Sequence, residues 1–318
     1  MTNEPTTLPA QGGILLIDKA GDWTSHDVVA KSRRALGTRK VGHAGTLDPM
    51  ATGLLVLGAG PATRLLTHLV GLDKTYVTTI RLGTSTVTDD REGDRVSAAD
   101  PSALAAVLAD PARIAAAVAE LTGDIEQAPS AVSAIKVDGR RAYDRVRAGE
   151  QVELKKRPVT IHEFAIGAPR SAAELDGTPV IDIDATVRCT TGTYIRALAR
   201  DLGELLGVGG HLTVLRRTTV GPFDVADATS MDDLVAGSPG PLLEPTAVAE
   251  RLFPVLQLTD SQTADIGHGK RIVVDAAFDA PLVAAVAPDG RLVGLVEVKA
   301  GRTRVVTNFP TPDGVSAV

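Results

Sequence analysis

Asp48 is the residue in this chain best placed to do chemistry. It sits near the end of Gly42-His43-Ala44-Gly45-Thr46-Leu47-Asp48-Pro49. Pro49 steers Asp48 away from helical backbone and towards an extended or turn conformation. Gly42 and Gly45 leave the approaching backbone dihedrals that other residues avoid. A loop built this way holds a carboxylate at one orientation. An isolated Asp-Pro is most often only a turn, so its partners matter. Arg196 follows Thr193, a candidate N-cap, and so falls in the first turn of a helix that continues through Ala197–Gly203. An Arg there opposes the helix dipole, which makes sense if a carboxylate compensates it. A close Arg would also keep a buried Asp ionised. Tyr76 lies in the alternating stretch Lys74–Gly83, where an aromatic ring commonly packs on a half-buried strand face and can also serve as a stacking platform.

The elements that must position these groups follow in order. Residues 1–12 are polar and aperiodic, as a disordered tail would be. Gly13–Lys19 reads as a buried strand. Thr24 or Ser25 caps a helix to about Leu36, with Gly37 as its stop. Leu54–Gly58 is a second strand, and Pro61 opens a helix that reaches Val70. Residues 84–96, rich in acids, read as a polar loop, and Ala-rich helices follow near 101–109 and 111–122. Asp138-Gly139 marks a turn between a strand and a short basic helix. Val180–Cys189 and Val208–Thr219 are further strands. Asp182 and Asp184 share one face of the first of these, better read as solvated than as metal-binding. Pro239, Gly240, Pro241 and Pro245 mark a linker. Short apolar strands then run over Leu282–Ala287, Leu292–Val298 and Arg304–Thr307, with a turn at Asp289-Gly290.

Composition narrows the function. One cysteine, Cys189, in 318 residues rules out an intramolecular disulfide, and with no metal-type Cys or His spacing a reducing cytoplasm is expected. No signal peptide or apolar run of membrane-spanning length is present. The net charge of −6 hides an uneven distribution. Residues 224–250 carry six acids and no Lys or Arg, whereas 31–40 carry five bases and no acid, and 136–157 eight bases against four acids. Clustered base is what an RNA footprint needs. Gly58-Ala59-Gly60-Pro61-Ala62-Thr63 fails as a dinucleotide loop, lacking a third small residue and a later acid. Gly83-Thr84-Ser85 lacks the trailing Gly of a nucleophile elbow.

The octapeptide around Asp48 resembles the catalytic motif of the TruB family of tRNA pseudouridine-55 synthases, of the bacterial type. So do Gly13–Ser25, with Ala20 at a usual Pro, and Ala51–Gly58, Lys74-x-Tyr76, Gln127–Tyr143 and Val187–Arg196. Ser130 and Val132 stand where the family usually has a Pro and an aromatic residue. The likeness runs from about Gly13 to Phe223. It implies an α+β fold: a mixed, mostly antiparallel sheet flanked by helices, with a small C-terminal β-barrel of PUA-like type. Its domain boundaries would be a tail at 1–12, a catalytic domain at 13–236 with an RNA-binding insertion at about 124–157, a linker at 237–252 and a small β domain at 253–318. It implies that Asp48 is the nucleophile, that Tyr76 stacks on the target base and that Arg196 pairs with the Asp. It further implies RNA contacts from His43, Lys19, Arg33, Arg34, Arg39, Lys40, Arg64, Lys136, Arg140, Arg141, Tyr143 and Tyr194. The implied substrate is the T-stem-loop of tRNA. No cofactor, metal, membrane or obligate protein partner is expected, and the protein is expected to be a cytoplasmic monomer. Two other readings remain open: a synthase that depends on guide RNA, and a non-catalytic tRNA-binding module.

Overall fold

The computed structural model describes residues 8–130, 136–137, 140–141 and 155–309. They form two compact units. Of the described residues, one comprises 8–49, 53–70 and 222–309, the other 50–52 and those between 71 and 221. The architecture is α+β, with helices beside mainly antiparallel sheets, as the sequence predicts.

In the first unit, Gly13–Lys19 runs antiparallel to Thr52–Ala59 along its whole length, with Leu16 opposite Val56. Thr229–Ser230 adds a parallel edge. Both long strands are continuous apolar runs and are buried almost throughout, as a strand covered on both faces must be. Val41–His43 pairs with the far end of Thr52–Ala59, which aligns the chain entering the Asp48 loop. The helix Ser25–Ala35 starts with a complete capping box: the Thr24 hydroxyl accepts from the Asp27 N–H, and the Asp27 carboxylate accepts from the Thr24 N–H. That reciprocal pair satisfies two orphan groups of the first turn, and Arg33 and Arg34 complement the dipole at the other end. The segment after Pro61 differs from expectation. Gly60–Leu65 is a 3₁₀ helix before Leu66–Val70 turns α-helical. The Thr63 hydroxyl donates to the Gly60 carbonyl at 2.8 Å, which favours the tighter three-residue turn.

The same unit ends in a four-stranded sheet. Val255–Gln257 lies parallel to Ala280–Val286, which pairs antiparallel with Leu292–Lys299 and that with Arg302–Asn308. Its own apolar cluster includes Leu256, Ile266, Val283, Val293 and Val296.

The second unit is built on an antiparallel sheet in the order Gly210–Val220, Lys74–Leu82, Pro179–Cys189, Arg157–Ile166, Gly123–Gln127. Lys74–Leu82 alternates strictly, with Lys74, Tyr76, Thr78, Ile80 and Leu82 all buried. On the opposite face Arg81 grips Asp182 with two hydrogen bonds of 2.8 and 2.7 Å, and Asp184 accepts from Arg170 and Thr79. These carboxylates are therefore neutralised by cations, in line with a solvated face. The stretch read as a polar loop contains a hairpin, Thr84–Thr86 against Arg95–Ala98. Its reversal is held by Asp90, whose carboxylate accepts from the Glu92 N–H and the Thr88 hydroxyl, a side-chain-closed turn. Lys136–Val137 pairs with Arg140–Arg141, so the chain after Asp138-Gly139 resumes as strand where a helix is predicted. Tyr143 and most of the basic insertion lie outside the described residues. The flanks of that segment, Gly123–Gln127 and Arg157–Ile166, are paired strands of the main sheet.

Candidate active site

The Asp48 loop is fastened from behind. Ser25, fully buried at the start of its helix, bridges both backbone groups of Leu47: its hydroxyl accepts from the Leu47 N–H at 2.9 Å and donates to the Leu47 carbonyl at 3.1 Å. The Pro49 carbonyl accepts from the Asp22 N–H at 3.0 Å and from Lys19 Nζ at 3.0 Å. Asp48 is thus clamped through its neighbours on both sides while its own side chain stays half-exposed. Gly45 has φ 106°, a conformation that glycine alone adopts at little cost.

Lys19 corrects the sequence reading. It is expected to contact RNA, yet it is 0% exposed. Its ammonium donates to the carbonyls of Ala20, Trp23 and Pro49 at 3.0, 2.6 and 3.0 Å, tying the strand end to the catalytic loop. An ammonium has three donors and no acceptor, and three carbonyls match it. Lys19→Met should therefore cost about 3 kcal/mol, because buried carbonyls lose their donor. Calorimetry should show the loss of stability, and the rate should fall with RNA affinity little changed.

His43 is half-buried beside the exposed His26, with ring centroids 6.0 Å apart and edge to face. His26 was not singled out from the sequence, because its place one turn from the loop becomes visible only once the helix is built. Arg33, Arg34, Arg39 and Lys40 are all exposed on this unit. Arg33 also donates to the Val41 carbonyl at 3.1 Å. Arg64, expected to contact RNA, is exposed but donates to the Asn308 carbonyl, so it spends part of its guanidinium inside the protein. Lys31 lies over the ring of the single Trp23, 5.8 Å from its centroid.

The second unit supplies the other candidates. Tyr76 lies between Val187 and Arg217 on the neighbouring strands and is 7% exposed. Arg196 is at the second position of the helix Ile195–Leu205 and is buried. The N-cap is Tyr194, with no side-chain cap. Thr193, the expected cap, instead donates its hydroxyl to the Thr190 carbonyl at 2.9 Å, which takes it out of reach of that role. Arg196 Nη1 donates to the Thr88 carbonyl at 2.8 Å and to Asp90 at 3.2 Å. One turn on, Arg200 meets Asp89 at 3.2 Å. Burial pushes the Asp89 carboxyl above its ordinary range, and Arg200 pulls it back. Sequence reading passed over Asp89 and Asp90 as loop acids. The signal was present in their number, but nothing local tied them to a helix about a hundred residues away. Lys136, Arg140 and Arg141 are described by backbone alone, and Tyr194 is half-buried.

Lys74 is also unusual. Burial, reinforced by Arg217, lowers its pKa to about 8. The folded state thus disfavours the charged form, and the unfolded chain binds the proton more tightly. Lys74 therefore costs stability below pH 8, and that cost fades as the pH rises towards 10.5. Lys74→Met should lose its stability advantage relative to the parent across that interval in denaturant titrations. Making the comparison in a Cys189→Ala background removes the thiol, which burial raises to about 11 and which is coupled to Lys74.

Comparison with known proteins agrees with this architecture. The fold is similar to an H/ACA ribonucleoprotein bound to a substrate RNA containing 2′-deoxyuridine, with a TM-score of 0.66 and 23% identity, covering 100% of this chain and 94% of that one. It is also similar to an archaeal box H/ACA Nop10-Cbf5 complex, with a TM-score of 0.65 and 24% identity over 98% and 94%. These likenesses show a shared fold. Residues 33–195 match the family described as TruB family pseudouridylate synthase, N-terminal domain. Residues 196–239 match the tRNA pseudouridylate synthase B C-terminal domain, and 253–310 match tRNA pseudouridine synthase II, C-terminal. A tRNA pseudouridine synthase B of Leifsonia xyli is 54% identical over 95% of this chain and 97% of its own. One of Thermobifida fusca is 51% identical over 93% and 98%. The chain belongs to the TruB family.

Proposed function

We propose that this protein converts a uridine of tRNA to pseudouridine, at position 55 in the T-loop. The observation that carries this reading is the identity of about half, over nearly the whole chain, to proteins called tRNA pseudouridine synthase B. The reaction breaks the bond from N1 of uracil to C1′ and forms one from C5 to C1′. One proton leaves C5 and one is gained at N1, so there is neither redox change nor net hydrolysis. Asp48 supplies the nucleophilic carboxylate, and the clamp of Ser25 and Lys19 on its loop supports a fixed attack geometry. Arg196 is assigned as the partner of that carboxylate. Tyr76 stacks on the extruded base and recovers ~1–3 kcal/mol of the flipping cost. His43 takes the space the base leaves, and Arg33, Arg34, Arg39 and Lys40 hold phosphates. The catalytic portion is assigned to residues 13–236 and a small accessory domain to 253–318. The protein acts in the cytoplasm as a monomer without a protein partner. No single helix among the described residues is long and apolar enough to cross a membrane.

A guide-RNA-dependent reading has one observation in its favour, the fold likeness to H/ACA complexes. The much higher identity to tRNA enzymes outweighs it. Mapping modified nucleosides in a full tRNA transcript, after incubation with the purified protein in EDTA, tests the proposal. Pseudouridine is expected at position 55. Its formation elsewhere, or only after zinc is restored, contradicts it.

A further inference from the structure

Gln127 ends the strand Gly123–Gln127 and is 2% exposed. Its amide meets both main-chain groups of Tyr194: Nε2 donates to the Tyr194 carbonyl at 3.0 Å, and Oε1 accepts from the Tyr194 N–H at 2.8 Å. Tyr194 is the N-cap of the helix that carries Arg196, and its own side chain does no capping. The two bonds therefore pin the backbone residue from which the helix departs. The next residue makes a second tie, since the Ala128 carbonyl accepts from Arg200 at 2.9 Å. Arg196 lies between these two attachments and is gripped from a third direction by Thr88 and Asp90.

We infer that Gln127 is a positioning residue for pseudouridine formation, acting through the Tyr194 main chain to hold Arg196 in register. This rests on the role proposed for Arg196. Gln127 touches no substrate. It fixes the start of the helix, and a shift of about 1 Å at a positioned group costs ~100-fold in rate. The carboxamide is required in both halves: the donor half serves a carbonyl and the acceptor half an N–H, and no other side chain of that length carries both at neutral pH.

Single-turnover rate constants and tRNA dissociation constants would be measured for four proteins: the parent, Gln127→Met, Arg196→Lys and the double variant. Gln127→Met is expected to lower the rate constant about 100-fold with tRNA affinity within about threefold. In the Arg196→Lys background the same substitution is expected to change the rate by less than about threefold, because both act on one unit. Gln127→Glu gives a second readout that does not depend on Gln127→Met folding. The carboxylate repels the Tyr194 carbonyl, while its protonated form restores a donor, so the rate relative to the parent should recover as pH falls. Losses that multiply fully in the double variant, a loss confined to tRNA affinity, or a Gln127→Glu ratio flat with pH would overturn the inference. A parental rate for Arg196→Lys would instead sink the reading of Arg196 beneath it.

Discussion

Asp48→Asn should abolish isomerisation, lowering the rate by about 10⁴-fold or more, and leave tRNA affinity within a few-fold. The substitution keeps the shape of the side chain and removes its charge. The clamp grips Leu47 and Pro49 through their main-chain groups, so the loop should stay in place. On the proposed reading, binding rests on phosphate contacts and stacking rather than on the Asp48 charge. Thermal unfolding within a few degrees of the parent, together with complete loss of product, is the expected pair of results. Measurable turnover in the pure variant rules out Asp48 as nucleophile.

Asp90→Asn should produce the second large effect, on stability as well as rate. Asp90 and Arg196 are both almost wholly buried, with side chains 3% and 6% exposed. Removing one charge from a buried pair is destabilising, at about 3 kcal/mol. For a chain of 318 residues that is a fall in melting temperature of about 4–5 °C. The Thr88 and Glu92 bonds to the carboxylate weaken at the same time, so the hairpin reversal loosens. Arg196 then loses its orientation, and the rate should fall about 100-fold. Calorimetry and single-turnover kinetics on one preparation check both effects. A variant with parental melting and parental rate would mean that Asp90 is not the anchor of Arg196.

The legible parts of this chain are those whose physics is local. Thr24 or Ser25 as cap, Gly37 as stop, and the apolar run Gly13–Ile17 define a strand and a capped helix without any tertiary information. The Asp48 octapeptide is equally local. What escaped the sequence depends on partners far along the chain. Lys19 is an RNA contact only by what the resemblance implies. Only the convergence of the Ala20, Trp23 and Pro49 carbonyls buries it. Asp90 looks like a loop acid because Arg196 lies 106 residues away. Gln127 looks like an ordinary strand end until Tyr194 is placed beside it. Thr193 was the better cap by residue type, but its hydroxyl found the Thr190 carbonyl first, a competition that propensity does not describe. The hairpin within 84–96 was hidden by its acids, which close its turn.

The most direct test is tritium release from a T-stem-loop labelled at C5 of its uridines, using the purified protein with EDTA and no other macromolecule. Forming the new bond at C5 expels the hydrogen there, so release counts turnovers. Release equivalent to one uridine per stem-loop, lost when the position-55 uridine is replaced by cytidine, is the expected result. No release by the protein alone, or release that appears only when a guide RNA or partner protein is added, would contradict it.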